Sequence, residues 1–343
     1  MIELTDRESL VFELLVKNFI ITANPVGSRF LSKKIRTQLS SATIRNVLND
    51  LEEKGLVSQP HTSAGRVPTD KGYRFFVDRF MRRKPLSDSE KKVIEGTFSC
   101  FSRDQDLILA RASQVLSEIS KQLGIVLSPR FEKGIFKRIE LIHLAERRIL
   151  VIISIASGMV RTITIELKSE IPEEKLESTA RVLNERLAGL TLAEIRDTIG
   201  KRMDSASEGD IGLINLFVAS ADELFSINEE VSLHLDGAQH MINLPEFSDI
   251  DRMKQMFNII ENKRQVIVHL LNASNKNDSI SITIGNENSE KMLRDFSLVS
   301  TSYRVGDITG VLGIIGPTRM HYAKMVALVD YISASVSRIL SAS

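Results

Sequence analysis

Residues 40–53 read Ser40-Ser41-Ala42-Thr43-Ile44-Arg45-Asn46-Val47-Leu48-Asn49-Asp50-Leu51-Glu52-Glu53, and two sets of side chains interleave in them. Ile44, Val47, Leu48 and Leu51 recur at i, i+3, i+4 and i+7, the apolar face of a helix. The opposite face collects Ala42, Asn46 and Asn49, with Arg45 on its flank. Those residue types suit the edges of bases. Asparagine pairs with adenine, arginine with guanine, and a small residue lets a helix approach the groove floor or a thymine methyl. They crowd the N-terminal half of the helix, where a recognition helix meets bases. The acids Asp50, Glu52 and Glu53 come later, where such a helix leaves the groove. Ala42, Arg45, Asn46 and Asn49 are therefore the expected base contacts. Arg29, Lys33, Lys34, Ser41 and Thr43 are expected on phosphates, and His61, Thr62, Ser63 and Arg66 on a neighbouring hairpin.

The elements that must position this helix are legible on either side. Thr5-Asp6-Arg7-Glu8 is a capping box, and Leu10, Val11, Leu14, Leu15 and Phe19 form the apolar stripe of the helix that follows. Asn24-Pro25-Val26-Gly27 breaks that helix, and Ser28–Lys34 reads as a short second one. Ser40-Ser41 supplies the N-cap of the third helix, and Gly55 stands where a left-handed residue ends it. Two short strands, Leu56–Gln59 and Arg66–Pro68, flank a polar tip at 61–65. A fourth helix from Thr69 carries Tyr73, Phe75, Phe76, Val77 and Phe80, and Arg82-Arg83-Lys84-Pro85 closes the segment. The order predicts a winged helix-turn-helix domain over residues 1–85.

Charge follows the same division. Residues 1–84 hold 15 Lys+Arg against 9 Asp+Glu, a balance of +6, whereas the rest holds 30 against 35. A basic module on a mildly acidic body suits a protein that sends one domain to a polyanion. With 43% apolar and 26% charged residues, 343 residues suffice for two or three packed domains.

Beyond Pro85, Ser89–Leu123 reads as helical. Strand-like runs follow at Lys137–Ala145, Arg148–Ala156 and Met159–Leu167, then a helix from Pro172 to about Ala188. Further helices and a strand pair within Val231–Ile242 come next. Strands at Ser279–Ile284, Phe296–Tyr303 and Gly306–Ile315 and a last helix at Arg319–Leu340 end the chain. Three strands, a helix-rich interruption over about 190–261, three strands and a helix predict an α+β body with an insertion.

Catalytic chemistry finds no support. The six histidines are scattered, and the pair His234 and His240 lacks the usual ligand spacing, with no carboxylates clustered around it in a recognisable zinc pattern. Gly306, Gly310, Gly313 and Gly316 lack the Gly-Lys-Ser/Thr of a phosphate loop and read as close backbone approaches or bulges. Cys100, the single cysteine, excludes an intramolecular disulfide and has no evident activating base. No cofactor, metal or catalytic residue is expected. No signal peptide or bilayer-spanning stretch is read, so the expected location is the cytoplasm.

Several runs resemble one bacterial family. They are Pro25-Val26-Gly27-Ser28, Ser40-Ser41-Ala42-Thr43-Ile44-Arg45-Asn46, Asp50-Leu51-Glu52 with Gly55-Leu56-Val57, His61-Thr62-Ser63-Ala64-Gly65-Arg66-Val67-Pro68-Thr69, and Gly72-Tyr73-Arg74. Gly306, Gly310-Val311-Leu312-Gly313 and Ile315-Gly316-Pro317 extend the likeness toward the C-terminus. Together they resemble the heat-inducible transcription repressor HrcA family. The resemblance implies a homodimer on an inverted-repeat DNA operator upstream of chaperone operons, released on heat shock and modulated by the chaperonin. It also implies a GAF-like domain, here 86–189 with 262–343, carrying an inserted dimerising domain, here 190–261. Two other readings are open from the residues: a metabolite-responsive winged-helix regulator whose GAF-like domain binds an effector, and an enzyme with an appended DNA-binding head.

Overall fold

The computed structural model describes every residue except Met1, 36–38, Ser63, 100–103, Glu146, Lys168, 205–210, 226–231, 263–265, 267–269, 271–279 and 342–343. Ser63, Cys100 and His269 thus lie outside the described residues. The chain is a mixed α+β protein, and packing divides it into two compact units. One comprises Met1–Val126, Leu233–Ser302 and Val311–Ala334; the other comprises Leu127–Ser232, Tyr303–Gly310 and Ser335–Ser343. The expected insertion over 190–261 is shared between them, cut after Ser232.

The first unit begins with helices α1 (Asp6–Thr22), α2 (Ser28–Lys34) and α3 (Ser41–Glu53), a hairpin of β1 (Val57–Ser58) and β2 (Val67–Pro68), and helix α4 (Asp70–Arg79). Each start has a local cause. Thr5 and Glu8 form the complete capping box before α1, Ser40 Oγ accepts from Thr43 N at 3.0 Å before α3, and Thr69 Oγ1 accepts from Gly72 N at 3.0 Å before α4. Val11, Phe12, Leu15, Leu31, Ile44, Leu48 and Leu51 are buried together as the core of the three helices. Gly55 ends α3 at φ +72°, as its position predicted. Phe12, Phe75 and Phe80 make an edge-and-tilt cluster with centroids 5.8–6.1 Å apart, so Phe75 and Phe80 serve as half-buried aromatic contacts.

Helices α5 (Asp88–Ser99) and α6 (Gln105–Ser120) follow, then strand β3 (Leu123–Leu127). The expected single helical stretch Ser89–Leu123 is therefore two helices and the start of a strand. All five residues of β3 are buried. A short, wholly apolar run looks alike as strand or buried helix, and Leu123 fitted the helical stripe by coincidence of spacing. Strand β3 joins a five-stranded sheet of order β7-β3-β10-β9-β8, made with β7 (Leu233–Asp236), β8 (Ser281–Ile284), β9 (Phe296–Val305) and β10 (Ile308–Pro317). Strands β8 and β9 are antiparallel, with Ile282 opposite Val299. The expected strand pair near residue 240 is one strand, β7, followed by helix α11 (Ala238–Ile242), because Gly237 at φ +103° turns the chain out of the sheet. Asn288, nearly fully buried, donates to the carbonyls of Gly285, Leu293 and Phe296 at 2.9 Å each and shapes the β8–β9 connection. Helix α12 (Ile250–Glu261) and helix α13 (Tyr322–Ser341) are further elements, the last residues of α13 belonging to the second unit.

The second unit holds an antiparallel three-stranded sheet, β4 (Phe136–Ala145), β5 (Arg148–Ile155) and β6 (Val160–Glu166), close to the limits expected for the three strand-like runs. In β5 the buried residues are Ile149, Val151, Ile153 and Ile155, one face at period two. Helix α7 (Glu173–Leu187) packs on β4, where the Asn184 amide brackets the Ile139 backbone at 2.8 and 2.9 Å. Helices α8 (Leu192–Met203), α9 (Ile211–Ala219) and α10 (Ala221–Phe225) follow in the same unit. Gly310 lies against the Tyr303 ring, where a Cβ would meet ring carbons at 2.3 Å, the close approach expected of that glycine series. Among the described residues, no helix is long and apolar enough to cross a membrane. Among them also, no group of three His, Cys, Asp or Glu could hold a metal ion.

Candidate nucleic-acid interface

Helix α3 is fastened at both ends. At its start the hydroxyls of Ser28 and Ser41 lie 3.0 Å apart, joining the first turns of α2 and α3. At its end Lys54 Nζ lies 2.6 Å from Glu8 Oε1, and Glu8 is almost fully buried. Burial pushes the Glu8 carboxyl up, but its hydrogen bonds with Lys54 and Thr5 outweigh that and hold it below the usual range. The carboxylate therefore stays charged and ties the C-terminal end of α3 to the first turn of α1.

This anchoring leaves Ala42, Arg45, Asn46 and Asn49 exposed. Their spacing places them along one face, opposite buried Ile44, Val47, Leu48 and Leu51. No acidic residue occupies the first turn of α3. Arg29, Lys33 and Lys34 are exposed on α2. Among the described residues none of these three cations, nor Arg45, has an acidic partner within ion-pair distance; Lys34 Nζ instead sits 5.9 Å from the centroid of the Phe30 ring. Ser41 and Thr43 are half-buried at the helix start. Thr43 is committed to the cap, its Oγ1 lying 2.8 Å from Ser40 Oγ.

The hairpin is held beside α3 by contacts that sequence reasoning did not assign. Arg66 Nη2 lies 2.9 Å from Glu52 Oε2 and donates to Asn49 Oδ1 at 3.0 Å, with only 13% of the Arg66 side chain exposed. Glu52 Oε1 also accepts from Gln59 N at 3.0 Å. The Gln59 side chain closes the tip by donating to the carbonyls of Thr62 and Ala64 at 2.9 and 3.1 Å. Asn49 thus keeps its amide N–H groups available while its oxygen is oriented by Arg66. The available signal was an acid on α3 together with a single arginine on the hairpin, but nothing local pairs them. Arg66 also exchanges backbone hydrogen bonds with Val26 at 2.9 and 3.0 Å, so the Pro25–Gly27 segment pairs with the hairpin. Gly65 permits that pairing, since a Cβ there would lie 2.4 Å from the Val26 carbonyl carbon. His61 and Thr62 stand exposed at the tip.

A second set of contacts joins α4 to the sheet of the same unit. Arg74 donates from Nε and Nη2 to the two carboxylate oxygens of Glu287 at 2.7 and 2.6 Å, and from Nη2 to the Ile282 carbonyl at 2.6 Å. Asp70 Oδ2 accepts from the backbone and side-chain amides of Asn286 at 3.0 and 2.8 Å. The rings of Tyr73 and Tyr322 lie 6.0 Å apart beneath them. Arg319 adds an ion pair to Glu246 and a hydrogen bond to the Ile20 carbonyl at 2.6 Å. The hydrogen bonds to Glu287 raise the already high pKa of Arg74 further, so this cation is permanent. These contacts lie in the same unit as α3.

Residues 106–326 match the family described as HrcA protein C terminal domain. The chain is 40% identical to the heat-inducible transcription repressor HrcA of Chlorobium phaeobacteroides (strain BS1), the match covering 99% of each. It is also 40% identical to that of Prosthecochloris aestuarii, over 99% of this chain and 98% of the other. A solved structure of a hypothetical protein, 22% identical, shares the fold with a TM-score of 0.64 over 99% of both chains. The chain belongs to the heat-inducible transcription repressor HrcA family.

Proposed function

We propose that residues 1–85 are a winged-helix head that reads DNA, with α3 in the major groove, and that the protein represses chaperone operons as a homodimer on an inverted repeat. The observation that carries this reading is the exposed stripe Ala42, Arg45, Asn46 and Asn49 next to exposed Arg29, Lys33 and Lys34. In it Arg45, Asn46 and Asn49 contact base edges and Ala42 allows close approach, while the α2 cations and Ser41 and Thr43 meet phosphates. His61 and Thr62 at the hairpin tip lie along the neighbouring backbone, where the sequence also assigns Ser63, and Arg66 holds the hairpin and Asn49 in register. The rest of the chain is a GAF-like body with an inserted dimerising segment. It holds two heads at the half-site separation, a multiple of the roughly 34 Å helical turn. Heat loosens that body, and the linked heads then lose the advantage of binding together. The chaperonin acts on the body by restoring its fold.

The test is a salt titration of binding to an inverted-repeat duplex from a chaperone promoter, beside a scrambled duplex of equal length. Tight binding to the first, with a steep salt slope on both, is expected. Equal weak binding to the two at every salt concentration refutes sequence reading by α3.

A further inference from the structure

The first unit contains a groove of about 1130 Å³ that the DNA-binding reading does not use. Its size slightly exceeds that of ordinary ligand clefts, roughly 300–1,000 Å³. The floor is apolar: Ile20 from α1, Phe76 from α4, and Phe80 and Leu86 from the 80–87 connection. Ile21 stands beside the floor with 70% of its surface exposed.

The charge at the rim has one sign in surplus. Glu90 is consumed internally, 2.8 Å from Lys324 Nζ and 2.7 Å from Ser87 Oγ. Asp88 faces Lys91 at 3.8 Å, and Lys17 is paired with Glu13. Arg82 and Lys84 remain, both exposed and, among the described residues, without an ion-pair partner. His321 and the first residues of the 20-residue helix α13, Tyr322 and Ala323, also line the groove, placing the positive end of the helix dipole beside it. An apolar trough rimmed by two free cations and a helix N-terminus complements a molecule with a hydrocarbon chain and one negative end.

We propose that this groove binds a single-chain amphiphilic carboxylate, a fatty acid anion of medium or long chain. The chain lies over Ile20, Phe76 and Leu86, and the carboxylate is held by Arg82, Lys84 and the start of α13. Because the walls come from α1, α4, the 80–87 connection and α13, an occupant stabilises their packing and raises the melting temperature.

The test titrates sodium decanoate, below its micelle concentration, into the full-length protein by calorimetry, which also suits a chain without tryptophan. Decanoate is expected to bind with one site per chain and to raise the melting temperature. The pair R82E/K84E is expected to weaken it at least tenfold, and decylammonium to bind at least tenfold more weakly than decanoate. Ile21→Asp, at a position exposed enough to leave folding intact, is expected to weaken it by a similar factor. Absence of binding up to millimolar decanoate overturns the proposal, as does equal binding by wild type and variants or by decanoate and decylammonium. An acidic amphipathic peptide that binds where decanoate does not would also overturn it, making the groove a protein-docking surface. None of these measurements contains DNA, so their failure is separable from failure of the repressor reading.

Discussion

The contact between Arg74 and Glu287 bears on both stability and operator binding. Arg74→Ala removes two charge-assisted hydrogen bonds to Glu287, one to the Ile282 carbonyl and a longer, exposed one to Asp78 at 3.3 Å. Hydrogen bonds involving a charge contribute about 1.5–3 kcal/mol each when sheltered. Here both side chains are near one-third exposed, 30% for Arg74 and 35% for Glu287, so water recovers much of that. Glu287 also keeps its bond from Ile284 N at 2.9 Å. The expected net loss is about 2–3 kcal/mol for the single variant. The coupling energy in an Arg74→Ala, Glu287→Ala double-mutant cycle is expected at about 1–2 kcal/mol. Urea melts at pH 7 followed by circular dichroism read both values. Since the contact mounts α4 and thereby α3, Arg74→Ala should also weaken binding to the full inverted repeat more than to a single half-site. A coupling energy below about 0.5 kcal/mol would show that solvation, not the pair, governs the junction. Equal weakening on both duplexes would show that the mount does not set head placement.

Four other outcomes are expected. Arg45→Ala should cost about 1–3 kcal/mol of operator binding and relax base preference, whereas Lys33→Ala should weaken all sequences alike and flatten the salt slope; competition with single-base operator variants distinguishes them. Gly72→Ala should destabilise by about 1–3 kcal/mol despite the better helix propensity of alanine, because the new Cβ would lie 2.0 Å from the Leu56 carbonyl oxygen; the urea midpoint checks it. Tyr73→Phe should be neutral or stabilising, because the buried Tyr73 hydroxyl has no hydrogen-bond partner among the described residues; a loss above about 1 kcal/mol would contradict this. The hydrogen bonds from Lys324 and Ser87 hold the Glu90 carboxyl at about 2. A depressed folded-state pKa stabilises above the unfolded value, about 4.3, and that contribution is lost as pH falls toward 2. The stability difference between wild type and Glu90→Gln should therefore be constant from pH 7 to pH 5 and shrink below about 4.3.

Local chemistry along residues 1–85 determined a great deal. The capping box at Thr5 and Glu8, the break at Pro25, the Ser40 cap, the i, i+3, i+4, i+7 core of α3 and the turn at Gly55 all act within a few residues. Periodicity and turn residues register such interactions directly. The stripe Ala42, Arg45, Asn46 and Asn49 is legible for the same reason, since a helix face follows from spacing once its buried side is known. The apolar-polar alternation of β6 over Arg161–Glu166 was equally visible, whereas the nearly unbroken apolar run of β5 left its buried face to the fold. Tertiary structure decided what spacing does not encode. Strand β3 became a strand because a five-stranded sheet had a place for a buried apolar run, and the run alone is compatible with a helix. Arg66 meets Asn49 and Glu52 only after the hairpin folds back, and Arg74 finds Glu287 across 213 positions of sequence. The apolar groove likewise gathers α1, α4 and α13 from opposite ends of the chain. Pairings at such separations depend on how completed elements dock, and the docking energy is shared among many side chains rather than marked at any one of them.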